Sequence, residues 1–154
     1  MQMLAARFVP QEQDYVSPFD GRAHGFRPGW WEDYFQNSRN RYHRPYSFTD
    51  HTGAEAARAL LREWAGFSDL EGAGVSLPSQ AVSVDFIEVR EDLYRPRRGV
   101  GTSVVRLIEA LYPNDTLFAF SEEADEFWVS TGWELMPRAD KDRRMRSLFV
   151  LRRD

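Results

Sequence analysis

The sequence predicts an α/β fold, and three observations carry the prediction. From Ala81 to Leu111 a strand-like run (Val82, Val84, Phe86, Ile87, Val89) gives way to a basic glycine turn, and Val104, Val105, Ile108 and Leu111 then follow at helical spacing. Downstream the alternation repeats in Thr116–Phe120, in a helix through Ala124, Phe127 and Trp128, and in Trp133–Met136, before a last strand at Ser147–Leu151. Length and composition fit one domain, because 154 residues at 42% hydrophobic and 29% charged can bury a sizeable core and are too apolar for wholesale disorder.

Taken in order, Leu4–Val9 is a short first strand ended by Pro10. Gln11–Gly29 carries Ser17-Pro18, Asp20-Gly21, Gly25 and Pro28-Gly29, and reads as a long loop. Trp30–Tyr42 follows as a helix, with Trp31, Tyr34 and Phe35 on one face, Pro28 just before its start and Pro45 closing it. Half of the aromatic residues precede residue 50, which suits either core packing or the wall of a substrate pocket.

The stretch Tyr46–Phe67 admits two readings. Ala54, Ala56, Ala57, Leu60, Leu61 and Trp64 are helix formers at helical spacing. Alternatively, Asp50-His51-Thr52-Gly53 is the turn of a hairpin, with Ala57, Ala59 and Leu61 alternating against Arg58, Leu60 and Arg62. Gly66–Gln80 is a loop, Ser121 reads as a helix N-cap with Glu122 and Glu123 in the first turn, the helix stops near Gly132, and Pro137–Arg146 is a polar loop.

Composition excludes several chemistries. Without cysteine there are no disulfides, no thiolate catalysis and no cysteine-ligated metal. His24, His43 and His51 lack metal spacing, and no serine sits in a nucleophile elbow, so no metal is expected. A formal net charge of −4 argues against a protein that coats nucleic acid. The first residues lack the basic start and apolar run of an export signal, and no apolar run reaches membrane-spanning length, so a cytoplasmic protein without a membrane partner is expected.

What remains is the turn at Arg95, Pro96, Arg97, Arg98, Gly99, Val100 and Gly101. The free N–H groups and positive dipole end of a new helix favour an anion, and arginines add charge-assisted hydrogen bonds. A dinucleotide fingerprint would need glycine at 104, where the chain has Val104, and no P-loop is present.

This strand, turn and helix, together with Ser121, Ala124, Phe127-Trp128 and Gly132-Trp133 downstream, resembles the GNAT acyltransferases over roughly the C-terminal half of the chain. The resemblance implies one acyltransferase domain over residues 1–154, with a mixed, mostly antiparallel central sheet flanked by helices. Residues 1–80 would form the acceptor side and 81–154 the acyl-coenzyme A side. It also favours the hairpin at 46–62.

By the same resemblance the donor is acetyl-coenzyme A and the acceptor an amine that the sequence does not identify, and a homodimer is compatible. Val89, Arg97, Arg98, Gly99, Val100, Gly101, Thr102, Ser121 and Trp128 would contact the coenzyme. Pro96 stands where the family usually has Arg or Gln, Trp128 where a tyrosine often protonates the leaving thiolate, and Ser83 where a glutamate is frequent. Asp85 and Glu88, on opposite faces of the strand, are then the candidate catalytic carboxylates. A non-catalytic acyl-coenzyme A module is the alternative reading.

Overall fold

The computed structural model describes residues 3–36, 41–66, 75–94, 99–137 and 146–153. Its elements are β1 (Ala5–Phe8), α1 (Pro28–Gln36), β2 (His43–Thr49), β3 (Glu55–Arg62), β4 (Val82–Val89), α2 (Glu91–Tyr94), α3 (Val100–Leu111), β5 (Leu117–Phe120), α4 (Asp125–Thr131), β6 (Glu134–Met136) and β7 (Leu148–Leu151). The strands form one seven-stranded sheet in the order β1-β2-β3-β4-β5-β7-β6. Pairing is parallel between β4 and β5, and antiparallel in β1–β2, β5–β7 and β6–β7. The result is the expected mixed, mostly antiparallel sheet with flanking helices.

The chain divides into two compact units, Met1–Leu60 with Phe86–Leu107, and Leu61–Asp85 with Ile108–Asp154. In the first, the hairpin reading prevails over the helix. Asp50 N–H donates to Ala54 O at 2.9 Å, Gly53 N–H donates to Asp50 O at 3.0 Å, and Gly53 sits at φ +85°, where glycine carries no Cβ penalty. Local helix propensity yields because Ala56–Leu61 are buried without a break. That continuity differs from the alternation the sequence suggested, since Arg58 is buried along with its neighbours.

Helix α1 starts two residues earlier than expected, at Pro28, and does not reach Tyr42. Arg41 and Tyr42 lie in a turn, and His43 opens β2, whose ladder with β1 runs from Phe8↔Tyr46 to Ala5↔Thr49. Pro45 therefore lies inside a strand instead of ending a helix, and its carbonyl accepts from Val9 N–H at 2.9 Å, so the missing proline N–H leaves this bond intact. The core of this unit joins Phe19, Trp31, Phe35 and Leu60, with Val9, Tyr34 and Phe86 packed against them.

In the second unit Ala65, Ala81, Phe118, Leu148 and Val150 form the core. Gly66 is required by close approach, since a Cβ there would meet Pro78 O at 2.1 Å. Helix α4 corrects the sequence reading of its start. It begins at Asp125, so Glu122 and Glu123 precede it and the acidic first turn is Asp125 and Glu126. Ser121 Oγ accepts from Ala124 N–H at 3.0 Å, closing the turn that leads into the helix, while Ala124 holds the capping position. The stop at Gly132 is as expected, with φ +86° and its N–H bonded to Val129 O.

Candidate functional site

The start of α3 has the geometry the sequence suggested. Gly99 adopts φ +74°, and the first helical hydrogen bond runs from Ser103 N–H to Gly99 O at 3.0 Å. The N–H groups of Val100, Gly101 and Thr102 therefore precede the helical ladder. Val100, Val104, Val105 and Ile108 are buried, which anchors the helix by its apolar face. Arg97 and Arg98, expected to reinforce this site, lie outside the described residues. Between β4 and the turn is a short helix, α2, that the sequence reading did not anticipate.

Strand β4 carries both candidate carboxylates, and their surroundings differ. Asp85 is held in an ion pair by Arg62, whose Nε lies 3.0 Å from Oδ2 and whose Nη2 lies 3.3 Å from Oδ1, and Ser83 Oγ–H donates to Oδ1 at 2.6 Å. Ser83, at the position where glutamate was expected from the resemblance, is thus part of a polar cluster with Asp85. Glu88 is buried and accepts one bond on each oxygen, from Arg27 N–H at 3.0 Å and from Trp31 Nε1–H at 2.7 Å. Each carboxylate oxygen has two lone pairs, so Glu88 retains acceptor capacity.

At the end of β4, Arg90 N–H donates to Ala56 O at 2.9 Å. Successive residues of a strand direct their N–H groups to opposite edges, so Val89 N–H points away from β3. The parallel ladder to β5 covers Val82↔Leu117 and Ser83↔Phe118, although both strands run on beyond those pairs.

Ser121 and Trp128 are both buried in the second unit. The Trp128 ring lies 5.0 Å from Trp133 and stacks 6.4 Å from Phe149. The contacts that define Trp128 here are those of a core aromatic packed on β7.

The loop ahead of α1 is tied to the end of β4. Gly25 O accepts from Glu91 N–H at 3.0 Å, next to the bond from Arg27 N–H to Glu88. Gly25 itself, at φ +86°, lies so close to Arg90 that a Cβ would meet its Cγ at 2.5 Å. Beside this loop is a cavity of 330 Å³ whose walls include Tyr15, Phe19, Trp31, Glu32, Gln36 and Arg58. The sequence reading had the aromatic wall as one of two options and missed Arg58 and its partner Glu55. An arginine inside a run of alanines and leucines, with a glutamate three residues before it, was the available signal.

Among the described residues no group of three or more His, Asp or Glu side chains converges to hold a metal, and no helix is long and apolar enough to cross a membrane.

The sheet order, the parallel β4–β5 pair and the glycine-led α3 together make a GNAT-like fold. Solved structures with this architecture bear that out. AtaT complexed with acetyl-methionyl-tRNAfMet matches 96% of this chain and 94% of its own, with 15% identity and a TM-score of 0.55. AtaTR bound with AcCoA matches 96% of this chain and 92% of its own, with 14% identity and a TM-score of 0.55. A putative phosphinothricin N-acetyltransferase matches 99% and 98%, with 17% identity and a TM-score of 0.53. No protein-family model and no curated protein sequence matches the chain.

Proposed function

We propose that the chain is one acyltransferase domain that moves an acetyl group from acetyl-coenzyme A to an amine by direct attack. The observation that carries this reading is the start of α3, where Gly99 turns the chain at φ +74° and three N–H groups precede the first helical bond. Such a terminus suits a pyrophosphate, and the AcCoA named for one structural neighbour supports the choice of coenzyme. The residues fit the group. Val100, Gly101 and Thr102 would receive the phosphates, with Arg97 and Arg98 added from the sequence resemblance, and Val89 N–H would face the thioester carbonyl in the manner of an oxyanion hole.

The bound coenzyme supplies a thioester as acyl donor. The chain's own part is to orient the amine, hold it neutral and accept its proton. Of the two carboxylates, Glu88 is the better base. Asp85 is engaged by Arg62 and Ser83 on both oxygens, whereas Glu88 is fixed by two donors and keeps lone pairs to receive a proton directly or through water.

Calorimetry tests the coenzyme site. Acetyl-coenzyme A should bind, and Gly101→Glu should abolish binding by placing bulk and negative charge at the phosphate position; absence of binding at roughly millimolar ligand would sink the reading. One observation favours a second reading, a module that binds acyl-coenzyme A without turnover. Trp128 occupies the position of the usual proton-donating tyrosine, and an indole N–H is no acid at neutral pH. Acetyl transfer to any amine in a broad panel rules that module out.

A further inference from the structure

Arg58 is 1% exposed, yet its hydrogen bonds use only part of its guanidinium. Nε donates to Glu55 Oε1 at 3.0 Å, and Nη2 lies 3.0 Å from both Glu55 Oε1 and Asp20 O. Glu55 is itself occupied, since its other oxygen accepts from Ser47 Oγ–H at 2.5 Å. The plane of the guanidinium is covered by Phe26, 4.3 Å from Cζ, and by Phe19 at 4.9 Å. What is left is Nη1 with its two N–H bonds. Among the described residues it meets no protein acceptor, yet it is not a sealed orphan of the kind Arg153 Nε is. Arg58 is a wall of the 330 Å³ cavity, the space beside it that could receive a ligand.

A guanidinium edge held rigid by a carboxylate, a carbonyl and two rings, and presented to an aromatic-lined cavity, is a preorganised receptor for a planar anion. The cavity is at the small end of ligand sites, the size for a single compact molecule. Phe19 and Trp31 supply apolar walls, and Tyr15 is held at φ +66° at its edge, a conformation that a tyrosine adopts only under constraint. Glu32 lines the same cavity and disfavours a second negative charge on the ligand. Trp31 links the cavity to chemistry, because its indole N–H is bonded to Glu88.

We propose that this cavity is the acceptor pocket and that its substrate class is an amine bearing one carboxylate, an amino-acid-like molecule whose acid group docks on Arg58 Nη1. This rests on the acyltransferase reading above for its chemistry, though not for the pocket itself. In the transfer, the amine nitrogen forms the new bond to the acetyl carbon, the carbon–sulfur bond breaks, the thiolate leaves with the coenzyme, and Glu88 receives the amine proton.

The test uses the full chain and a panel of amino acids, each beside its α-amide and its decarboxylated amine. Acetyl transfer and ligand binding without coenzyme are measured on the same samples. The acids should be preferred over both analogues by about 10- to 100-fold in KM or Kd, the size of a charge-assisted hydrogen bond. That preference should vanish in Arg58→Gln and be partly restored in Arg58→Lys. The discrimination within the wild type needs no variant, so a variant that fails to fold does not blunt the test. Amides and amines used as well as acids would overturn the pocket assignment and leave the acyltransferase reading standing. Arg58-dependent binding of acids without acetyl-coenzyme A binding would do the reverse. No binding or transfer of any acid overturns the assignment as well.

Discussion

Arg58 and Arg62 leave the same strand four residues apart, and each meets a carboxylate. Arg62 grips Asp85 on both oxygens, and Ser83 adds a hydroxyl, so the acid is spent on holding β3 to β4. Arg58 grips Glu55 through Nε and Nη2, has no described acceptor on Nη1, and lines a cavity. Burial separates them as well. The Arg58 side chain is 1% exposed, against 17% for Arg62 and 18% for Asp85. The lesson is that an ion pair marks a functional site by the donors it leaves over and their access to space, whereas the number of bonds it satisfies measures structure.

The comparison can be broken most directly at Arg58. Replacing it with alanine leaves Glu55 with an uncompensated charge beside a new hole, and should lower the free energy of unfolding by about 3–5 kcal/mol, read by urea denaturation. A loss below about 1 kcal/mol would show that the guanidinium is solvated in solution. Glu88 sharpens the contrast from the side of catalysis. Glu88→Gln should reduce kcat/KM about 100-fold and lower the free energy of unfolding by about 1–3 kcal/mol, because the amide oxygen can replace only one of the two acceptors and its NH2 faces the other N–H donor. An unchanged kcat/KM would leave Glu88 as a mere tie for the loop at Arg27.

Asp85→Ala should be milder than Arg58→Ala, about 1–3 kcal/mol, since water can reach Arg62 once the acid is gone. A larger cost than at Arg58 would invert the comparison.

The smallest effect is at the surface. The Thr52 hydroxyl, followed by the N–H groups of Thr52 and Ala54, holds Asp50 below the ordinary 3.8, and the Arg90 guanidinium does the same for Asp92. A depressed folded-state pKa contributes stability above the unfolded value, and that contribution is lost as pH falls through the folded value. Asp50→Asn should therefore separate from the wild type in thermal unfolding at pH 7 and merge with it near pH 2, by a small margin because the group is exposed. A gap that persisted at the lower pH would place its cause outside the carboxylate's charge.

Much of this was legible beforehand. The central strand, glycine turn and helix could be read because each leaves a local mark, namely β-branched residues at Val82, Val84 and Val89, a glycine where φ is positive, and a helical stripe of which Val104, Val105 and Ile108 are buried while Leu111 is exposed. The strands at both ends were found within a residue or two for the same reason. The errors came where tertiary pairing overrode a local pattern. Pro45 reads as a helix stop and lies within β2, where its carbonyl still bonds Val9. Ser121 reads as an N-cap, but its hydroxyl closes a turn one step before α4.

By itself, then, the sequence determined the order of elements from α3 onward, the anion-favouring start of α3, the absence of cysteine chemistry and the resemblance that pointed to the fold. Only the tertiary structure decided which reading of 46–67 holds and which carboxylates are spent. It alone brings Glu88 to Trp31 across 57 positions of sequence and Arg58 to Asp20 across 38. The physical reason is range. Periodicity and turn chemistry act between neighbours in the chain, whereas burial and the pairing of polar groups are settled by residues that meet only after folding.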